Sequence, residues 1–379
     1  MQTIYMDNAA TTQPCGESVA RAEQYLKENY FNPSAMYKEG FALSRELKAA
    51  REKLVSYVAD TATYDLTFTS CGTEADNTAV FGYARRGNAV TSAGEHSAIL
   101  APFAELKNRN VAETRFAPLE ADGRVNVGKL LELVDEKTTF VSVMHVNNET
   151  GAINDINAIA ELVKKKNPSV IFHSDGVQAY GKIPYRLNDK IDAYSVSAHK
   201  IGGLKGVGVL FKKKNLAVTP LVFGGGQESG RRSGTENVLG IIDFGRVAEK
   251  HNFAISENLE KTQKIKRVLT DNLDSRFIRI ISGENSSPYI LSFSAVGLRG
   301  EVIMHMLEEF GIIVGTGSAC SSRQRHSRVL KNCGYGANVL DGALRISFSS
   351  ETTESDALYA AGKINECVKK LKGVMDRNV

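Results

Sequence analysis

The stretch Asp192–Lys200, DAYSVSAHK, with the glycine-rich IGGLKGVG (Ile201–Gly208) behind it, decides how the fold is read. A strand ends in Ser-Ala-His-Lys and passes into a tight, glycine-bearing turn. A lysine at the end of a strand in an α/β protein sits on the face where ligands collect. Its amine can form a Schiff base with an aldehyde cofactor when desolvation or neighbouring cations lower its pKa. The plainer alternative is a solvated lysine after a strand, and Ser-x-His-Lys has many chance matches.

Outward from this stretch, short β-rich runs alternate with helical periodicity, which predicts an α/β fold with a mostly parallel sheet. Strands are expected at Leu66–Thr69, Ala89–Thr91, Phe140–His145, Val170–His173, Tyr194–Val196 and Val207–Phe211. Helices are expected at Phe41–Val58, Glu74–Arg85, Ala101–Arg109 and Ile156–Lys165, with a weaker one after Asn237. The segment Asn154–Lys166 opens with capping residues and ends in lysines, as the helix dipole favours. After about Lys250 the alternation stops. A polar helix (Ile255–Asn272) is followed by Arg279–Ile281, Ile290–Phe293, helix-like Glu301–Phe310, Leu344–Phe348 and a last helix Glu354–Leu371, the pattern of a smaller α+β domain. The expected division is a large domain over residues 13–250 and a small one built from residues 1–12 and 251–379.

Composition narrows the function classes. Of 379 residues, 42% are hydrophobic and 24% charged, and the formal charge of +4 is small beside 47 basic and 43 acidic side chains, so neither nucleic acid nor a membrane is expected as a direct partner. No run approaches the roughly 18 apolar residues of a membrane span, and Met1–Thr12 lacks the features of a secretory signal. The five cysteines, Cys15, Cys71, Cys320, Cys333 and Cys367, form no CxxC pair. Free thiols in a cytoplasmic protein with no metal site are expected.

Three further segments carry chemistry. In FHSDGVQ (Phe172–Gln178), Asp175 at a strand end can pair with a protonated pyridine nitrogen, although Asp before Gly is more often a turn residue. In TSCGTEADN (Thr69–Asn77), backbone amides at a helix start and the Thr73 hydroxyl suit a phosphate; Thr73 with Asp76 also has nearly the form of a capping box, and both readings can hold together. In GEH (Gly94–His96), the histidine can stack on a flat ring and move protons, where the bland alternative is a structural histidine. The run GGGQESG lacks the form of a nucleotide loop, and Lys164–Lys166 and Arg231–Arg232 read as solvated faces, the arginines near a possible dimer site.

Order and spacing together carry a resemblance. YMDNAATT (Tyr5–Thr12), FNPSA (Phe31–Ala35), TSCGTEADN, GEHSAIL, MHVNNETG (Met144–Gly151), SDGVQAYGK (Ser174–Lys182), SVSAHKIGGLKG, GGGQESGRRSGTEN (Gly224–Asn237), GTGSACSS (Gly315–Ser322) and LRISFS (Leu344–Ser349) run end to end through the chain. In that order they resemble the NifS/IscS-type cysteine desulfurases of the class V, fold-type I aminotransferase superfamily. The resemblance implies pyridoxal 5'-phosphate as cofactor and L-cysteine as substrate. Sulfur would leave as a persulfide on the enzyme and pass to an acceptor protein for iron–sulfur assembly or thiolation. By similarity, Lys200 would carry the cofactor covalently, His96 would stack on its ring, Asp175 would meet the ring nitrogen and Gln178 the phenolic oxygen. Asn147 would lie near ring and substrate. Gly72, Thr73, Ser197 and His199 would hold the phosphate, joined by Thr235 from the second subunit of a homodimer. Arg345 would clamp the substrate carboxylate, with Asn32 beside it.

Cys320, in GTGSACSSRQRH, is the expected sulfur acceptor, since Arg323, Arg325 and His326 would raise its thiolate fraction. Cys333 and Cys367 read as small buried hydrophobes. The chain departs from the family pattern in a loop from Cys320 to Val329 one residue shorter than usual, in Gly315 where serine is frequent and in Ala198 where glycine is frequent. A selenocysteine lyase or another class V enzyme is the alternative activity, and a non-catalytic cofactor-binding regulator is a third reading. The thiol at 320 argues against transamination, and the intact lysine and cysteine argue against loss of catalysis.

Overall fold

The computed structural model describes residues 3–316 and 326–376, the last two without their side chains. The expectation placed on Cys320 falls outside the described residues. The strands are β1 (Ile4–Tyr5), β2 (Tyr64–Thr69), β3 (Asn88–Ser92), β4 (Glu113–Ala117), β5 (Thr138–Ser142), β6 (Ile171–Asp175), β7 (Ala193–Ser197), β8 (Gly208–Lys213), β9 (Ile278–Ile280), β10 (Ile290–Ala295), β11 (Ile312–Ile313) and β12 (Ala343–Ser347). Seven of them form one sheet in the order β2-β8-β7-β6-β5-β3-β4. Only β8 runs against its neighbours, β2 and β7, so the sheet is mostly parallel.

Both faces of that sheet are covered, which is why its strands read as continuous apolar runs. Successive side chains point to opposite faces. Val141, Tyr194 and Val209 enter a core with Leu47, Leu54 and Phe244, while their neighbours Phe140, Ala193 and Leu210 enter another with Ala79, Ile99 and Phe103. The helices Lys38–Ser56 and Val238–Phe253 pack together over the first face. The second helix is far stronger than its sequence suggested: Asn237 caps it by accepting from Gly240 N at 3.1 Å, and Ile241, Phe244, Val247 and Ala248 bury its inner side.

Beyond residue 254 the chain builds an antiparallel sheet, β12-β10-β9, against the helices Ile255–Asp271, Gly300–Glu309 and Glu354–Asp376. Its core includes Leu269, Phe293, Ile303, Leu344 and Ile364, and also Met6 from the N-terminus, where β1 pairs with β11 in parallel. Among the elements that were not expected, two are sizeable. Strand β4 (ETRFA) is an edge strand with partly exposed residues, and the helix Gly16–Glu28 is amphipathic yet buries only Ser18, with Val19 and Leu26 exposed. Lys164 is not a solvated lysine: it pairs with Asp192 at 2.5 Å with a 15% exposed side chain. Among the described residues no helix is long and apolar enough to cross a membrane.

Candidate active site

The parallel strands deliver their chemistry at one end of the sheet, where α/β proteins place ligands. Strand β7 closes with Ser197 and passes into a single helical turn, Ala198–Lys200. The Lys200 ammonium donates to the carbonyls of Ala9 and Ala10, at 2.6 and 2.7 Å. Gln178, one turn past β6, donates through Nε2 to the same Ala9 carbonyl at 2.9 Å. His199 meets the Thr11 hydroxyl through Nδ1 at 3.0 Å, and its carbonyl accepts from Thr12 N at 3.0 Å. The N-terminal segment is thus a strap across the lysine turn.

Asp175 ends β6, is buried, and accepts from Val177 N at 2.9 Å. Burial pushes its pKa up to about 6, against the Val177 bond and the Lys200 charge, which lower it. His96 caps the helix Ser97–Asn108, its Nδ1 accepting from Ala98 N at 3.2 Å. Burial, with Lys200, Arg328 and Arg345 around it, pushes its pKa down to about 4. The ring is therefore neutral near pH 7, with its proton on Nε2, as a ring-stacking partner beside cations requires. Asn147 ties the next turn to this one: its Nδ2 donates to Gly94 O at 3.0 Å, and its Oδ1 receives the amides of Glu149 and Thr150.

The helix Gly72–Tyr83 starts after β2, and its cap residue Cys71 makes no side-chain cap bond. Thr73 lies in the first turn, exposed, and Asp76 points inward and is buried, so the two do not form a capping box. A Cβ on Gly72 would come within 2.8 Å of Val177 Cγ2, which makes glycine the residue that fits. Uncapped amides at a helix start, with the buried Ser197 hydroxyl that lacks any partner, form an anion site. Taken with Asp175, neutral His96 and Lys200, this donor set fits pyridoxal 5'-phosphate: an anion cradle, a carboxyl for a ring nitrogen, a flat neutral ring and an amine.

Arg345, on β12, is buried at 3% exposure. Its Nη2 pairs with Asp7 at 2.6 Å, its Nη1 donates to Asn148 O at 2.9 Å, and its buried Nε has no partner. Gly315 leaves the room this pair occupies, since a Cβ there would stand 2.7 Å from Asp7 Oδ1. The site thus gathers Lys200, His96, Asp175, Gln178, Asn147, Ser197, His199, Gly72 and Arg345. Two expected residues lie at its margin within this chain. Asn32 is exposed, its Oδ1 accepting from Ser34 N at 2.9 Å. Thr235 is exposed on a cavity of about 230 Å³ that it shares with Thr69 and Ser70 of the helix-start loop. Arg231 and Arg232 are not solvated; they pair with Asp65 at 2.7 Å and Glu74 at 2.9 Å.

Sequence reasoning missed several groups. Glu95, inside the quoted GEH, is buried with Oε1 accepting from Ser92 Oγ at 2.6 Å and Met144 N at 2.9 Å, and burial pushes its pKa up to about 8. Lys182 is buried, donates to Gln178 Oε1 at 3.0 Å, and has its pKa pushed down to about 7 by burial. Arg328 donates to the carbonyls of Ala93 and Glu95, both at 2.7 Å. A charged residue that becomes buried has no periodic signature, so only its place inside a motif could have flagged it.

Residues 4–359 match the model of the aminotransferase class-V family. The chain is 35% identical over 381 residues to a protein of Clostridium botulinum named cysteine desulfurase IscS, covering 97% of this chain and 94% of that one. A cysteine desulfurase of Gluconacetobacter diazotrophicus is 34% identical over 94% of this chain and 91% of its own length. Among solved structures, a NifS-like protein superposes with a TM-score of 0.89 at 33% identity, covering 97% of this chain and all of that one (100%). A NifS-like protein from Rickettsia africae gives 0.88 at 29% identity, covering 97% and 100% of the two chains.

Proposed function

We propose that this chain, which belongs to the aminotransferase class-V family and within it to the NifS/IscS-type cysteine desulfurases, uses pyridoxal 5'-phosphate to take sulfur from L-cysteine, leaving alanine and a persulfide on Cys320. The observation that carries the reading is the convergence of Lys200 and Gln178 on the Ala9 carbonyl, beside the buried Asp175.

When bound, the cofactor withdraws electrons from the substrate's α-carbon. The amides at Gly72 and Thr73, with the Ser197 hydroxyl and His199, hold its phosphate. His96 would cover its ring face, Asp175 would pair with the ring nitrogen and Gln178 would donate to the phenolic oxygen. The Arg345 guanidinium binds the substrate carboxylate, with Nε as the donor still open, and Asn147 and Asn32 border the substrate. Lys200 Nζ takes the α-proton. The Cys320 thiolate attacks the substrate sulfur: a sulfur–sulfur bond forms, the carbon–sulfur bond breaks with its electron pair left on carbon, and protonation of that carbon with return of the α-proton gives alanine.

The reading includes a homodimer in which Thr235 of the second subunit reaches the phosphate. The exposed side chains Tyr30, Met36, Phe41 and Phe223 support it, being 76, 89, 58 and 78% accessible in the single chain. It further includes a cytoplasmic location, an acceptor protein for the persulfide, and the division into a large domain (13–250) and a small one (1–12 with 251–379). The decisive experiment measures alanine and sulfide from L-cysteine with the parent and with Cys320→Ala. The parent should turn over, and the variant should bind the cofactor yet lose turnover. A Cys320→Ala protein with full desulfurase activity would rule out this mechanism.

A further inference from the structure

A second carboxyl lies directly behind the one assigned to the ring nitrogen. Asp76, on the second turn of the helix Gly72–Tyr83, is 1% exposed, and its Oδ1 has no hydrogen-bond partner. It lies beside Asp175 at the end of β6, and each carboxyl acts on the other. His173, two residues before Asp175 and on the same face of β6, brings Nε2 to 3.7 Å from Asp76 Oδ1. That ring is no counter-ion. It is wholly buried, which pushes its pKa down to about 3, and its nitrogens are taken by Ser142 Oγ and Ser195 Oγ, each at 2.9 Å.

The other groups around Asp76 are Ser195, the cross-strand partner of Asp175, the buried Glu95, which is itself held neutral, and Cys71, so no cation faces it to favour a carboxylate. Two carboxyls in one dry pocket do not both ionise. One proton is held between them, and the surroundings decide its owner. Asp175 has the Val177 amide at 2.9 Å and the charge of Lys200. Neither is among the groups that act most on Asp76.

We propose that Asp76 is a positioning residue that stays a neutral carboxylic acid at working pH, its O–H hydrogen-bonded to Asp175, and so holds Asp175 as an oriented carboxylate for the cofactor's ring nitrogen. This deepens the function proposed above and rests on it. Without the donor, Asp175 keeps a proton of its own more readily and the ring nitrogen is protonated less. A less electron-poor ring leaves the Lys200–cofactor linkage protonated to higher pH. An asparagine at 76 still offers an N–H to Asp175, whereas an alanine offers nothing.

The test reconstitutes the parent, Asp76→Asn and Asp76→Ala with pyridoxal 5'-phosphate and follows the bound cofactor's visible absorption against pH. A parent that shows no cofactor band, or a band that survives in Lys200→Ala, sinks the proposed function rather than this inference. With the band in place, Asp76→Ala should raise its pH midpoint by about one unit, and Asp76→Asn should stay within about 0.3 of a unit of the parent. An unmoved midpoint in Asp76→Ala, or an equal displacement in both variants, overturns the inference. Carbon-13 NMR of carboxyl-labelled aspartate in the parent holoenzyme, assigned with Asp76→Asn, decides the matter even if Asp76→Ala fails to fold. The Asp76 carboxyl should show the protonated shift at about pH 6, and a carboxylate shift there refutes the assignment.

Discussion

Replacing Arg345 by lysine separates a substrate clamp from a structural ion pair. The guanidinium makes two contacts within the chain, to Asp7 Oδ1 at 2.6 Å and Asn148 O at 2.9 Å, and keeps a third donor, Nε, buried and unpaired. A lysine ammonium can retain the pairing with Asp7, but it is a point donor and cannot also reproduce the planar fork. Leaving Asn148 O unsatisfied costs about 1–3 kcal/mol, which lowers the Tm of a chain this long by only a few degrees. Losing the bidentate grip on a carboxylate removes about 3 kcal/mol of transition-state binding, a factor of roughly 100 in kcat/KM. Arg345→Ala is harsher, because it leaves Asp7 without its partner; breaking a buried pair costs about 3–5 kcal/mol, and the 16% exposure of Asp7 points to the lower end. The assay is kcat/KM for L-cysteine beside thermal unfolding. An Arg345→Lys enzyme whose kcat/KM lies within about threefold of the parent refutes the clamp, because the lost interaction would then contribute under about 1 kcal/mol to the transition state.

Two further outcomes follow from the buried titratable groups. Glu95 has its pKa raised to about 8 by burial, so the folded state keeps a proton that the unfolded chain releases near its ordinary 4.5. Its contribution to stability is therefore lost as pH rises between those values, by up to about 1.4 kcal/mol per pH unit, and Glu95→Gln should gain on the parent across that window while the difference levels off at lower pH. Urea unfolding at several pH values checks this, and a pH-independent difference contradicts it. Cys333, with its thiol pushed up to about 12 by burial, and the fully buried Cys367 should both resist alkylation of the folded protein at about pH 8. Peptide mapping reads the labels, and modification of either as fast as in the unfolded chain would contradict their inert placement.

Much of the fold was legible because the central strands obey a simple constraint. Phe140–Val141 and Ala193–Tyr194 are buried on both faces of the sheet, so they read as apolar runs between helical periods. The edge strand β4 was not legible, since an element with little buried surface leaves little pattern, whereas the helix Gly16–Glu28 does carry Val19, Ala22 and Leu26 at helical spacing and was passed over. Strand β5 was expected to run to His145 and is assigned only to Ser142, yet Val143 N and His145 N still bond to His173 O and Asp175 O, so the ladder continues where the assignment stops. At the site, residues inside motifs could be named, but partnership could not. No local rule says that Lys164 will meet Asp192, that Arg232 will meet Glu74, or that Asp76 will turn inward to face Asp175.

The segment Asp7–Thr12 shows why those partnerships matter more than the motifs. Lys200, Asp175 and His96 hang from the seven-stranded sheet, while Arg345 hangs from β12 in the antiparallel sheet. The two would be free to drift apart if nothing spanned them. Asp7 pairs with Arg345, Asn8 donates to Ser347 O at 2.9 Å, and Ala9 N donates to Ser347 Oγ at 2.8 Å, which fixes the strap to β12. From Ala9 onward, the Ala9 and Ala10 carbonyls receive Gln178 and Lys200, Thr11 Oγ1 meets His199 Nδ1, and Thr12 donates to His199 O, which fixes it to the lysine turn. Together with the Arg345–Asn148 bond, these six residues fix the distance between Lys200 and Arg345, the groups proposed to take the α-proton and to hold the carboxylate of one amino acid. Catalysis by orientation demands that such a distance be held closely. In this chain a strap whose own polar groups are consumed in holding it helps to set that distance.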